Sequence, residues 1–216
     1  MSIPLKLTPV TIVLASASPR RQELLRNAGI PFTVQAADVN EAPLAGESPR
    51  DCAERLAREK ALAVFQSQPK NYVLGADTIV VVDDTILGKP RDADDAARML
   101  RLLSRRTHAV ITGVCLVGPV ASCQLPAASK TETKLTTGNR QLVTAFSETT
   151  LVTMCELSDN EIRDYIASGE PMDKAGAYAI QGVASRWIPR IEGDYSNVVG
   201  LPVALVYAML RKRGAF

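Results

Sequence analysis

Apolar positions along this chain fall into short unbroken runs and longer stretches of helical period, and the two kinds alternate. Val10 to Ala15 carries Ile12, Val13 and Leu14 in succession, the mark of a strand buried on both faces. Ser18 and Pro19 follow as N-cap and first helical residue, the Ser18 hydroxyl set to accept from a free backbone N–H, and Gly29 is placed to end that helix. Phe32 to Ala36 reads as a second strand. Ala37 to Glu47 is a loop of acids with Pro43 and Gly46. Ser48, Pro49 and Asp51 then open a second helix whose buried face is marked by Cys52, Leu56 and Ala63. Lys60 falls on or beside that face, where the spacing favours methylenes laid on apolar surface and an ammonium in water.

Val73 to Val82 is a strand apolar on both faces with a carboxylate, Asp77, at its middle. An unpaired carboxylate at such depth costs several kcal/mol or is driven neutral. Asp77 therefore needs a metal ion, a cation or a strong hydrogen-bond set, and backbone N–H groups around Gly75 are the structural alternative. Asp83-Asp84 makes a turn, Thr85 to Leu87 returns as a hairpin arm, and Pro90 ends the strand with Lys89 at its tip. Asp92 to Ser104 is an amphipathic helix with Ala96, Met99, Leu100 and Leu103 inward. Thr107 to Val117 is a strand whose partner includes Leu151 to Cys155. Between them, Gly118 to Arg140 lacks a sustained period and marks a mobile excursion or an extended hairpin. Ser158 to Glu161 is a capping box before a helix ended by Gly169. Trp187 to Ile191 suggests a strand, and Pro202 to Leu210 a last helix with favourable cations at its C-terminal end.

The alternation of strands and helices predicts an α/β fold, and 216 residues suffice for one well-cored domain. With 25 basic and 23 acidic residues the net charge is only +2, which speaks against a nucleic-acid surface. No run reaches membrane-spanning length, and the apolar segment near the start, about six residues, is shorter than a secretory core of roughly 7–15. Four scattered cysteines form no C-x-x-C pair, and Cys52, Cys115 and Cys155 read as buried small residues of a cytoplasmic protein. The single histidine, His108, lies in a strand-like run, so histidine-dependent chemistry is not expected.

Candidate chemistry starts at Ser16-Ala17-Ser18-Pro19-Arg20-Arg21. A strand ending in small hydroxylated residues and opening into a helix presents N–H groups and a positive dipole end to an anion. Arg20 and Arg21 in a first turn are unfavourable unless a phosphate sits there; otherwise they are solvated surface residues. Asp173 to Gly182 joins small residues and glycines with an amide at Gln181, which pairs with a ligand or caps its own backbone.

These stretches carry a resemblance. LASASPRR from Leu14, the acidic loop ending at Glu41, RLAREKA from Arg55, GADTIV from Gly75, GKPRD from Gly88, DKAGAYAIQG from Asp173 and VVGLP from Val198 are similar, in order, to the Maf family of nucleoside triphosphate pyrophosphatases. The resemblance implies one such domain over residues 1–216, with the polar excursion at about 118–140. It implies a mixed twisted sheet with flanking helices in two lobes around a central cleft, as in the inosine triphosphate pyrophosphatases. It implies hydrolysis of a nucleoside triphosphate between its α and β phosphorus atoms with a divalent cation, Mg²⁺ or Mn²⁺, and a possible homodimer. Carried over by position, the proton acceptor falls on Asp77, phosphate contacts on Ser16, Arg20, Arg21, Lys60 and Lys89, and the metal on Asp77 and Glu41. Arg20, Thr78 and Gln181 match the branch associated with dTTP and UTP. Asn40-Glu41 stands where paired acids are frequent, and the 118–140 stretch is longer than the family implies. A non-catalytic nucleotide sensor in cell-division control is the alternative that the resemblance leaves open.

Overall fold

The computed structural model describes residues 10–119 and 141–215. Its centre is a mixed sheet of seven strands. Six of them run in the order β2 (Phe32–Val34), β1 (Ile12–Leu14), β3 (Val73–Val82), β5 (Thr107–Pro119), β6 (Gln141–Thr153) and β7 (Arg190–Glu192). The seventh, β4 (Thr85–Leu87), folds back on β3. β2, β1 and β3 are parallel, and every later pairing is antiparallel. The α/β architecture is as the alternation of periods predicts. Among the described residues six α-helices flank the sheet: α1 (Pro19–Asn27), α2 (Pro49–Phe65), α3 (Ala93–Leu103), α4 (Asp159–Ala167), α5 (Tyr195–Val199) and α6 (Val203–Lys212).

The sheet is buried on both faces at its parallel end. Leu14, Leu74 and Leu116 pack with Leu25 of α1 and Leu210 of α6 on one side, and Val13, Val73 and Cys115 pack under Ala57 and Ala61 of α2 on the other. At the antiparallel end α3 and α4 bury Leu100, Leu103, Ile162 and Tyr165 against Val110 and Val152. Each fully buried leucine contributes about 2 kcal/mol of transfer free energy.

One contact sets the position of α2. Its inward face is the small-residue stripe Ala53, Ala57 and Ala61, all fully buried, and this stripe lies on Gly75 of β3 and Gly113 of β5. A Cβ built on Gly75 would stand 2.1 Å from the Ala57 carbonyl oxygen, and one on Gly113 2.2 Å from that of Ala53. Helix backbone therefore rests on strand backbone, closer than any side chain would allow.

The termini of these elements show where local reading holds and where it fails. Asp83 and Asp84 both adopt positive φ, +46° and +60°, as a two-residue hairpin turn requires. Ser48 caps α2, and Ser158 and Glu161 form the capping box of α4. Ser18 precedes α1 but its hydroxyl makes no capping bond; instead its backbone N–H donates to Ser16 Oγ at 3.3 Å. Ala63 is exposed, because the true inward face of α2 is rotated toward Ala53, Ala57 and Ala61. Cys155 is also exposed, just past the end of β6, whereas Cys52 and Cys115 are buried free thiols. Trp187 closes a 3-10 turn, and the strand begins only at Arg190. The β5–β6 pairing is much longer than Leu151–Cys155, since β6 starts at Gln141; of the polar excursion, residues 120–140 lie outside the described residues.

Candidate active site

Strand β3 has a gap in its pairing on one edge. β1 pairs with it only at Val73 and Leu74, and β4 only from Val80 to Val82, so Ala76 to Ile79 has no strand neighbour on that side. A cavity of about 630 Å³ opens there, lined by Asp77 and Thr78, the Ser16–Arg21 turn, Glu41, Lys60, Lys89 and the 173–181 segment. A break where strand neighbours change is a recurrent place for ligands in α/β sheets.

Asp77 and Thr78 occupy opposite faces of β3 by the two-residue period of a strand. Opposite Asp77 on β5 is Gly113, so the space beside the carboxylate belongs to α2. Lys60 reaches in from that helix. Its Nζ donates to Asp77 Oδ1 at 2.6 Å and lies 2.6 Å from Glu41 Oε1, both lysine and aspartate being buried. The snorkelling expectation for Lys60 is overturned: the side chain is buried and its ammonium ends between two carboxylates. The hydrogen bond from Lys60 holds the Glu41 carboxyl below its usual range; partial burial opposes this, and the charges of Lys60, Lys89 and Arg21 add to it.

Glu41 itself sits on the acidic loop, and Arg55 of α2 ties that loop down. Its guanidinium grips Glu47 through Nε–Oε1 at 2.6 Å and Nη2–Oε2 at 2.9 Å, and Nη2 also donates to the Ala42 carbonyl at 3.1 Å. The hydrogen bond from Arg55 lowers the Glu47 pKa to about 2. Arg55 stands in the RLAREKA stretch, but the sequence does not reveal this task, because a Glu-x₇-Arg spacing across a helix start has no period of its own.

On the other face of β3, Arg21 is a buried cation whose donors are nearly all committed. Nε donates to the Gly200 carbonyl at 2.8 Å, Nη1 to Ser16 Oγ at 3.0 Å and the Ala76 carbonyl at 2.9 Å, and Nη2 to Thr78 Oγ1 at 3.1 Å. The Ala76 carbonyl is one that the missing strand neighbour would have taken. Of five guanidinium donors, one N–H on Nη2 remains for a ligand. Burial lowers the Arg21 pKa, with the Asp77 charge working against that. Thr78 Oγ1 also meets Thr112 Oγ1 at 3.0 Å and the Gly200 carbonyl at 3.3 Å, so its hydroxyl is engaged by protein. Ser16 Oγ accepts from both Arg21 and Ser18, which leaves its O–H as a donor on the cavity wall.

Arg20 and Lys89 line the same cavity with looser attachments. Arg20 Nη1 lies 3.8 Å from Asp173 Oδ2, and Lys89 is exposed at the end of the β4 hairpin. Gln181 is exposed and lines the cavity as well. The structure thus brings Ser16, Arg20, Arg21, Glu41, Lys60, Asp77, Thr78, Lys89 and Gln181 to one cavity. Asp173 and Lys174, which are not among the residues expected from the sequence, line it too and pair with each other. Among the described residues no cluster of three or more metal-type side chains occurs, and no helix is long and apolar enough to cross a membrane.

The model of the Maf-like protein family matches residues 11–213. This chain belongs to the Maf family. It is 55% identical over 203 residues to a protein of Koribacter versatilis named dTTP/UTP pyrophosphatase, covering 94% of each chain. Proteins of the same name from Geobacter sp. and Geobacillus sp. are 48% and 44% identical, with 95% and 94% of this chain and 96% and 98% of theirs covered. Among solved structures, the Staphylococcus aureus Ham1 protein aligns with a TM-score of 0.47 and 14% identity over 94% of this chain and 99% of that one. The nine residues named from the Maf resemblance all line this one cavity.

Proposed function

We propose that this chain is a nucleoside triphosphate pyrophosphatase that hydrolyses dTTP and UTP between the α and β phosphates, giving the monophosphate and pyrophosphate. The observation that carries this reading is the buried Lys60–Asp77 pair in a cavity ringed by Arg20, Arg21 and Lys89. The names of relatives at 44–55% identity support the substrate.

A triphosphate brings about four negative charges, and its cleavage is driven mostly by positioning and electrostatics. Lys89 and Arg20 are mobile enough in attachment to meet the outer phosphates, while Lys60, the Ser16 hydroxyl and the last Arg21 donor face the inner ones. Asp77 orients the attacking water and accepts its proton. Arg21 is assigned a double task, supplying fixed positive charge and holding Ser16 and Thr78 in place.

The donor set suits Mg²⁺ or Mn²⁺: two carboxylates, Asp77 and Glu41, converge beside open cavity, and Mg²⁺ takes one or two carboxylates with phosphates and waters completing its shell. When bound, such a cation withdraws charge from phosphate oxygens and makes a neighbouring water more acidic. Gln181 is assigned to the base. The whole chain acts as one catalytic domain on a small nucleotide, in the cytoplasm, where free thiols such as Cys52 and Cys115 persist; no nucleic acid is required. A homodimer belongs to the same proposal through the family resemblance, and sedimentation tests it.

Incubation with dTTP, UTP, CTP, GTP and 7-methyl-GTP plus Mg²⁺ tests the function. Pyrophosphate from dTTP and UTP is the expected product; orthophosphate, or no product from any of the five, contradicts it.

A further inference from the structure

The segment from Ala179 to Gly182 is a tight turn, closed by Gly182 N–H donating to the Ala179 carbonyl at 3.1 Å. Ile180 and Gln181 form its corner and both line the cavity. Among the described residues their backbone N–H groups have no hydrogen-bond partner. Both ends of the turn are fastened to one pair of side chains outside it. Ala179 N–H donates to Tyr165 Oη at 3.2 Å, and Val183 N–H donates to the Glu170 carboxylate at 3.1 and 3.3 Å. Tyr165 Oη in turn donates to Glu170 Oε1 at 2.8 Å, which joins the two anchors.

The fit leaves no slack. A Cβ on Gly182 would stand 2.0 Å from Glu170 Oε1, so the carboxylate presses against the turn's own backbone. Tyr165 is 1% exposed and stacks edge-on against Trp187 at 5.3 Å between ring centroids, which fixes where its hydroxyl lies. Glu170 begins a 3-10 turn directly after Gly169, whose φ of +75° ends α4. Helix α4 and the residues after it therefore act as a bracket for this stretch of the cavity wall.

We propose that Tyr165 and Glu170 are positioning residues for base selection, holding the Ala179–Gly182 turn so that it reads the pyrimidine edge. This deepens the pyrophosphatase reading and rests on it. A glutamine amide alone cannot separate uracil from cytosine, since rotation by half a turn exchanges its donor and acceptor to suit either base. Backbone N–H and C=O groups cannot exchange in that way. A turn that offers fixed backbone groups beside Gln181 distinguishes the carbonyl and N–H of uracil or thymine from the amine and bare nitrogen of cytosine, provided the turn is held still.

Tyr165→Phe keeps the ring and its contact with Trp187 while removing the hydroxyl that joins the anchors. The test compares kcat/KM for UTP and CTP in wild type, Tyr165→Phe, Glu170→Gln and Gln181→Ala, alongside hydrogen exchange of the 178–184 peptide. The UTP-to-CTP ratio is expected to fall about tenfold in Tyr165→Phe, chiefly through KM for UTP, as a small misplacement of a polar contact would cause. Exchange should quicken in the 178–184 peptide, and Glu170→Gln should move both readouts the same way. A general loss of stability would lower both substrates together and leave the ratio unchanged. An unchanged ratio in folded Tyr165→Phe, with Gln181→Ala lowering kcat/KM for both nucleotides, overturns the bracket alone. Unchanged kcat/KM for both nucleotides in Gln181→Ala overturns the base assignment and the bracket with it.

Discussion

Lys60 Nζ stands 2.6 Å from Asp77 Oδ1, a bond that ties a helix to the middle of a strand left open on one edge, through two buried charges. The pair is possible only because α2 lies on the glycines of β3 and β5, so that a residue on the helix flank reaches the sheet's own carboxylate. Lys60→Met should lower kcat/KM for dTTP by about 10²–10³-fold, the usual loss for one preorganised donor in a closed site. It also leaves Asp77 and Glu41 facing each other without their cation. Urea unfolding should then show a loss of about 3 kcal/mol.

Arg21 binds four protein oxygens across three separate segments. Arg21→Lys keeps the charge and loses the fork, so the Gly200 and Ala76 carbonyls cannot all be satisfied. The expected cost is about 2–3 kcal/mol of stability in urea unfolding, accompanied by a fall in kcat larger than any rise in KM for dTTP. Retention of both stability and kcat would show that the guanidinium holds nothing in place.

Gly75→Ala puts a Cβ 2.1 Å from the Ala57 carbonyl oxygen, and backbone cannot yield as a side chain does. The helix must lift, with a cost of about 3 kcal/mol in thermal or urea unfolding. Lys60 lies one turn beyond Ala57, so activity should fall further than the lost stability accounts for.

His108 is 3% exposed, bonded through Nε2 to Tyr178 Oη at 2.8 Å, while its Nδ1 has no partner among the described residues. Burial pushes its pKa down to about 4. The unfolded chain therefore binds a proton that the folded chain refuses between about pH 6.5 and 4, and stability falls as pH drops through that window. Going from pH 7 to 5, His108 should account for about 2 kcal/mol of lost stability. Denaturant titrations of wild type and His108→Gln at the two pH values check this: the variant should show a flatter dependence, whatever its absolute stability.

The sequence made some of this legible and hid the rest for physical reasons. Asp77 stood out because a carboxylate in an apolar run has few ways to survive, and the hairpin at Asp83-Asp84 because two residues of that type tolerate positive φ. The spacing of Lys60 misleads, since helical period places a side chain on a face and says nothing of a partner on another element. The Ala53, Ala57 and Ala61 stripe is visible in the sequence, but alanines mark a helix face weakly, and the pattern that points inward through Cys52 and Leu56 also takes in Ala63, which is exposed. Alanines matter here because Gly75 and Gly113 meet them, a fact of tertiary register. The one-turn helix α5 and the Tyr165–Glu170 bracket carry no period at all, so only the fold reveals them.

Asp77→Asn gives the most direct test of the central claim, that this carboxylate is the group around which the reaction is arranged. The variant is nearly the same shape and can still accept from Lys60 Nζ through its amide oxygen, so the fold is expected to persist by circular dichroism. Pyrophosphate release from dTTP with Mg²⁺, followed in parallel for wild type and variant, should drop to background in Asp77→Asn. Release at a rate near that of the wild type would contradict the account.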